Sequence, residues 1–305
     1  MTTPGITVDC HDAPLRAALE AWLEGLRLDA PAGVGLNVTV VDDLPDRLDD
    51  VIFAQPEVGF ARGADGKGLR LAWEEAPALA DVPANATVAT VRLSRAAVTR
   101  LERCTRTFLL AVVIVLLRRV GWHHLHAATA IDPASRGWLL AGNANAGKST
   151  TAALLAASGW HVGTDDAAFL ERRRDGVVAH SCRAPIALRD GGRDLLARAG
   201  GVVLPERGKV GYWPDELGGL WTPLVFPEIV IFSSVGTDHT TAEPIGRAAA
   251  VAELVRWSAW VMLEPDLAQG HLDVLTRLTG QARCFRVTLG RDLFARPNRL
   301  TELVV

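Results

Sequence analysis

Residues 142–149, GNANAGKS, constrain the fold more than any other stretch of this chain. The spacing G-x-x-x-x-G-K-S needs a strand that stops abruptly, a loop with inward-turned N–H groups, and a helix starting at the lysine. Both flanks comply. GWLLA (137–141) is a short apolar run suited to a strand, and KSTTAALLAAS after the loop reads as a helix closed by Gly159. Glycines let such a loop wrap closely around phosphate oxygens, and the helix N-terminus directs unpaired N–H groups at them. Gly142, Asn143, Ala144, Asn145, Ala146, Gly147, Lys148, Ser149 and Thr150 are therefore read as a phosphate cradle for ATP. Lys148 adds positive charge, and Ser149 offers its hydroxyl to Mg2+.

Composition sharpens this reading at one point. The chain has 32 basic residues, yet only Lys67, Lys148 and Lys209 are lysines. A sequence this biased toward arginine still keeps a lysine where the motif calls for one.

WHVGT (160–164) then reads as a strand delivering Asp165 and Asp166, seventeen and eighteen residues past Lys148. A carboxylate at a strand end beside such a loop commonly serves the metal. Two adjacent ones allow a division of labour, one toward the metal and one toward an acceptor hydroxyl as general base.

Elsewhere the chain gives fold rather than chemistry. ITVDC, APLRAALEAWLEGLRL and GLNVTVV read as strand, helix and strand, VGFARGADGKGLRLAW as a hairpin, and ATVATVRLS as a further strand. A long helix is expected from Ser94, its N-cap, through FLLAVVIVLL to Gly121. That apolar run is ten residues long and flanked by arginines, so it is read as buried rather than membrane-spanning. The expected organisation is an accessory unit at 1–93, as a possible substrate-binding part, and a catalytic domain at 94–305.

Among weaker signals, His123 and His124 are read as structural because no Cys or carboxylate stands at metal-ligand spacing. ERRRD (171–175) is read as a solvated turn with Asp175-Gly176 at its tip. Arg183, Arg189 and Arg193 are candidates for neutralising a transferring phosphoryl group, and Lys209 falls beside aromatics in an expected loop, read equally as a substrate or adenine rim and as a surface hairpin. The net charge of -3 gives no reason to expect nucleic acid or an anionic membrane as partner. Four scattered cysteines and an N-terminus without a signal-peptide pattern favour a reducing, cytoplasmic compartment.

The stretch GNANAGKSTTAALLAASGWHVGTDD resembles the catalytic core of HPr kinase/phosphorylase-like proteins, whose fold is related to ATP-dependent phosphoenolpyruvate carboxykinase. The resemblance implies an α/β P-loop kinase domain. It matches Thr164-Asp165-Asp166 to the family's aspartate pair and His126 in HHLHAATAID to its site histidine. By that resemblance Asp165 is the catalytic base, Asp166 a metal or nucleotide-site carboxylate, and His126 a neighbour of the reacting phosphate. The later segments TPLVFPEIVIFSS and RAAAVAELVRWS also resemble the strand and helix of smaller relatives. The chain departs from the family at Asn145, where glycine is usual. It also lacks the downstream glycine- and arginine-rich signature, and its N-terminal unit differs, which points away from HPr as substrate. The implied function is transfer of the γ-phosphate of ATP to a serine hydroxyl of a small peptide, in the manner of lasso-peptide precursor kinases. The alternatives are a kinase for free serine or another metabolite, and a nucleotide-sensing module without transfer. Homo-oligomer formation is left open.

Overall fold

In this computed structural model the described residues are 5–45, 48–55, 57–189, 202–204 and 208–305. The chain is mixed α/β, with parallel and antiparallel strand pairs, and divides into two compact units, Met1–Trp122 and His123–Val305.

The first unit is built from β1 (Ile6–Cys10), α1 (Ala13–Leu26), β2 (Val34–Val40), β3 (Phe53–Gln55), β4 (Val58–Arg62), β5 (Leu69–Trp73), β6 (Ala78–Val82) and β7 (Val88–Leu93). Its sheet runs β1-β2-β7-β6-β5-β4-β3. β1 and β2 are parallel, so α1 serves as the crossover. Asp12 caps α1 by accepting from Leu15 N–H, and Leu15, Leu19, Leu23 and Leu26 form its buried stripe. The expected hairpin joins β4 to β5, and Asp65 in its turn accepts from Lys67 and Gly68 N–H.

The long helix expected after Ser94 is broken into pieces and lies in this first unit. Ser94 does cap α2 (Arg95–Thr99), accepting from Ala97 N–H at 3.1 Å. Arg100 then leaves helical geometry, and α3 (Leu101–Cys104) runs into a π-turn at Thr105–Leu109 before α4 (Leu110–Arg119). The Thr105 and Thr107 hydroxyls bond back to Glu102 and Arg103 carbonyls, drawing the ladder out of α register. Ala111 to Leu117 of the apolar run are buried in α4, and the first compact unit extends to Trp122. No helix among the described residues is long and apolar enough to cross a membrane.

The second unit carries β8 (Trp122–Ile131), β9 (Gly137–Ala141), α5 (Lys148–Ala157), β10 (His161–Thr164), β11 (Ala167–Arg173), β12 (Gly176–Ser181), β13 (Ile186–Leu188), β14 (Val202–Leu204), β15 (Lys209–Tyr212), β16 (Leu220–Trp221), β17 (Leu224–Val225), β18 (Pro227–Val235), β19 (Thr241–Pro244) and β20 (Arg283–Leu289). The main sheet runs β17-β12-β11-β8-β9-β18-β20-β19, with β10 joined to β8 and to β16. β9, β18 and β20 are mutually parallel neighbours, and the phosphate-loop motif follows the carboxyl end of β9. Open α/β sheets commonly bind ligands at that end of their strands. A smaller sheet, β13-β15-β14, packs Ile186, Leu188, Val210 and Tyr212 into the core that holds α5.

One glycine fixes how the site strand enters. A Cβ on Gly163 would overlap Ser181 Oγ and stand 2.5 Å from Thr129 Oγ1, two hydroxyls that bond each other at 2.8 Å. Gly163→Ala is therefore expected to destabilise the protein by about 2–3 kcal/mol, the usual cost of overpacking a filled core. A urea midpoint in the Gly163→Ala protein checks this, and Ser181→Gly in the same background should recover part of the loss. An unchanged midpoint would contradict the close fit.

Candidate active site

The loop between β9 and α5 takes the shape its residue types permit. Gly147 caps α5 with φ +86°, and a Cβ there would press Leu289 Cδ1 at 2.8 Å. Asn145 holds φ +68°, the left-handed region that asparagine tolerates better than most side chains. The departure from glycine at this position thus leaves the loop's backbone conformation attainable. Asn143, Ala144 and Asn145 are exposed at the crest, while Ser149 and Thr150 are half-buried in the first helical turn.

Lys148 is buried, and its Nζ donates to the loop's own carbonyls, Gly142 O at 2.8 Å and Asn143 O at 3.0 Å. Burial pulls its pKa down to about 8, against the opposing charges of Asp166 and Asp165.

Asp165 and Asp166 follow β10, and the turn that carries them is fixed by Thr164. Its Oγ1 accepts from the N–H groups of Asp166 and Ala167, while its own N–H donates to Thr129 Oγ1. Adjacent residues then point opposite ways. Asp165 turns inward, is 5% accessible, and accepts from the Ser149 hydroxyl and from Ala187 N–H at 3.2 Å. Burial raises its pKa, and the charge of Asp166 adds to the rise. Asp166 turns outward and pairs with His126 Nδ1 at 2.7 Å. Asp165 thus lies beside the Ser149 hydroxyl and Asp166 beside His126.

Other sequence-flagged residues sort clearly. Arg183, the residue after Cys182, lies over the rings of Trp213 and Trp221 at 4.5 and 5.8 Å, and Trp221 Nε1 donates to Gly163 O. Arg189 is exposed just past β13, and Arg193 lies outside the described residues. His123 stacks on His271 with centroids 4.5 Å apart, and His124 meets Phe169 and Trp260 edge-on. Both are buried. Among the described residues no cluster of three or more His, Cys, Asp or Glu is arranged to hold a metal. The ERRRD segment is the β11–β12 hairpin, with Arg173 opposite Gly176 and Glu171 bonded to Arg173 and His180.

Lys209 opens β15, paired antiparallel with β14 opposite Leu204, which matches the hairpin reading of this segment, and its charge acts on both Lys148 and Asp165. Its rarity as a lysine in an arginine-rich chain was the available signal.

No protein-family model matches the chain, and no curated protein does. Among solved structures it is similar to the Hpr(Ser) kinase/phosphatase from Coxiella burnetii, with 13% identity and a TM-score of 0.30, over 59% of this chain and 92% of that one.

Proposed function

We propose that the second unit is an ATP-dependent phosphotransferase that moves the γ-phosphoryl group onto an alcohol hydroxyl, with a serine in a small peptide as the expected acceptor. One observation carries this reading. The P-loop residues Lys148 and Ser149 converge with Asp165, while the adjacent Asp166 faces outward and is paired with His126. A module that only bound nucleotide would need the first set and not the second.

The loop N–H groups and Lys148 receive the triphosphate, and the lysine exchanges its two carbonyl partners for phosphate oxygens. Ser149 and Asp165 suit Mg2+, which takes oxygen ligands from one or two side chains together with substrate phosphates. When bound, that ion neutralises charge on the β- and γ-phosphate oxygens. Asp166 is assigned as the base. As the acceptor oxygen bonds to the γ-phosphorus and the bond to the β–γ bridging oxygen breaks, the hydroxyl proton passes to Asp166 and ADP departs. His126 holds that carboxylate in its outward orientation. These assignments exchange the roles that the resemblance implies for the two aspartates.

The acceptor is tested by offering free serine, HPr and serine-containing precursor-type peptides with MgATP and weighing the products. The expected result is one added phosphoryl group on a peptide serine and none on HPr. Rapid phosphorylation of free serine, with every peptide unmodified, would overturn the peptide assignment.

A further inference from the structure

Two of the three lysines in this chain lie in one electrostatic neighbourhood. Lys67 is exposed in the β4–β5 turn of the first unit, whereas Lys148 and Lys209 come from different elements of the second. The placement of Lys209 follows from strand alternation. On β15, Val210 and Tyr212 face the core that holds α5, which turns Lys209 and Gly211 to the other face. Gly211 is the register partner of Ala187, whose N–H bonds Asp165 Oδ2. Lys209 thus emerges, half-buried, from the strand pair that touches the inward carboxylate. No ion pair or hydrogen bond holds its ammonium among the described residues. Its charge reaches both Lys148 and Asp165, so cations from two different elements border the same carboxylate. A polyphosphate there would meet both cations, whereas a structural lysine would be expected to sit in a formed ion pair.

We propose that Lys209 is a second phosphate-binding residue, reaching the γ-phosphoryl oxygens from the β13–β15 side while Lys148 holds the phosphates from the helix side. The inference rests on the phosphotransferase reading above and adds a residue to it. The compact ammonium suits this task, since it approaches a phosphate oxygen as a point charge with three donors and needs no planar geometry.

The γ-phosphate makes the test specific. In Lys209→Met, affinity for the Mg2+ complex of the imido analogue of ATP should fall about tenfold, the scale of one lost charge-assisted contact, with MgADP affinity held within about twofold. Lys209→Arg, which keeps the charge, should restore most of the analogue affinity. If Lys209 only braced Asp165, both nucleotides would weaken together in the Met variant, and that result would overturn the inference. A second readout uses the small number of lysines. Acetylation followed by peptide mass spectrometry should show Lys209 protected by the analogue and much less by MgADP, with Lys67 as the unchanged internal reference. Tight analogue binding with Lys209 acetylated at its free rate would overturn the inference and leave the nucleotide site standing. Failure of the unmodified protein to bind either nucleotide would overturn both.

Discussion

Replacing Lys148 with Met is expected to cut phosphoryl transfer by at least about a thousandfold while making the empty protein more stable. The first effect follows from losing the helix-side cation on the phosphates, worth several kcal/mol in the transition state. Lys209 approaches from a different element and is not expected to take over that position. The second effect follows from the depressed pKa of Lys148. Its folded value of about 8 lies below the ordinary 10.5 because the ammonium is buried, so keeping it charged costs the folded state below pH 8. Between about pH 8 and 10.5 the unfolded chain still holds this proton and the folded chain has lost it, so stability should rise with pH across that window. Lys148→Met should remove that slope and raise stability at pH 7 by about 2 kcal/mol, allowing for the two hydrogen bonds it loses. Thermal unfolding from pH 7 to 10 checks the slope. A less stable Met variant would show that Lys148 is a structural ion-pair partner.

Asp166→Asn is expected to keep MgATP binding and lose transfer by about a thousandfold, within the range for removing a general base. The loss should shrink as pH rises, because the acceptor then needs less help shedding its proton. Asp165→Asn should differ in kind. Its oxygen atoms face Ser149, so its defect should be metal-dependent and partly relieved by raising Mg2+ or substituting Mn2+. His126→Ala should fall between, at about tenfold, because it orients Asp166 rather than receiving the proton. Steady-state rates over pH and metal concentration separate the three. Identical profiles for the two asparagine variants would contradict the division of roles. A pH-relieved loss in Asp165→Asn with a metal-relieved loss in Asp166→Asn would restore the assignment that the resemblance implies.

What could be read from the sequence was local. The phosphate loop is a strand, a turn and a helix start within a short span, and each leaves its own mark in residue type. The β4–β5 hairpin was legible for the same reason, since Asp65 and its flanking glycines encode the turn directly. The orientations of the two aspartates were not legible. They depend on which residue the Thr164 turn sends inward, and that in turn depends on Thr129, Gly163 and Ser181 packing from separate strands. Lys209 was hidden because its position needs β15 to pair with β13 and β13 to touch Asp165, a relation between distant segments. The helix after Ser94 spans nearly the expected length but is interrupted at Arg100 and by the π-turn, breaks that no glycine or proline marks in the sequence.

Release of ADP from MgATP, measured with and without a pool of serine-containing peptides, tests the phosphotransferase reading most directly. The expected result is slow ADP formation alone, a strong acceleration on adding peptide, and phosphoserine formed in step with the ADP. Tight MgATP binding with no ADP formed in the presence of any hydroxyl acceptor would contradict it and leave a nucleotide-sensing module in its place.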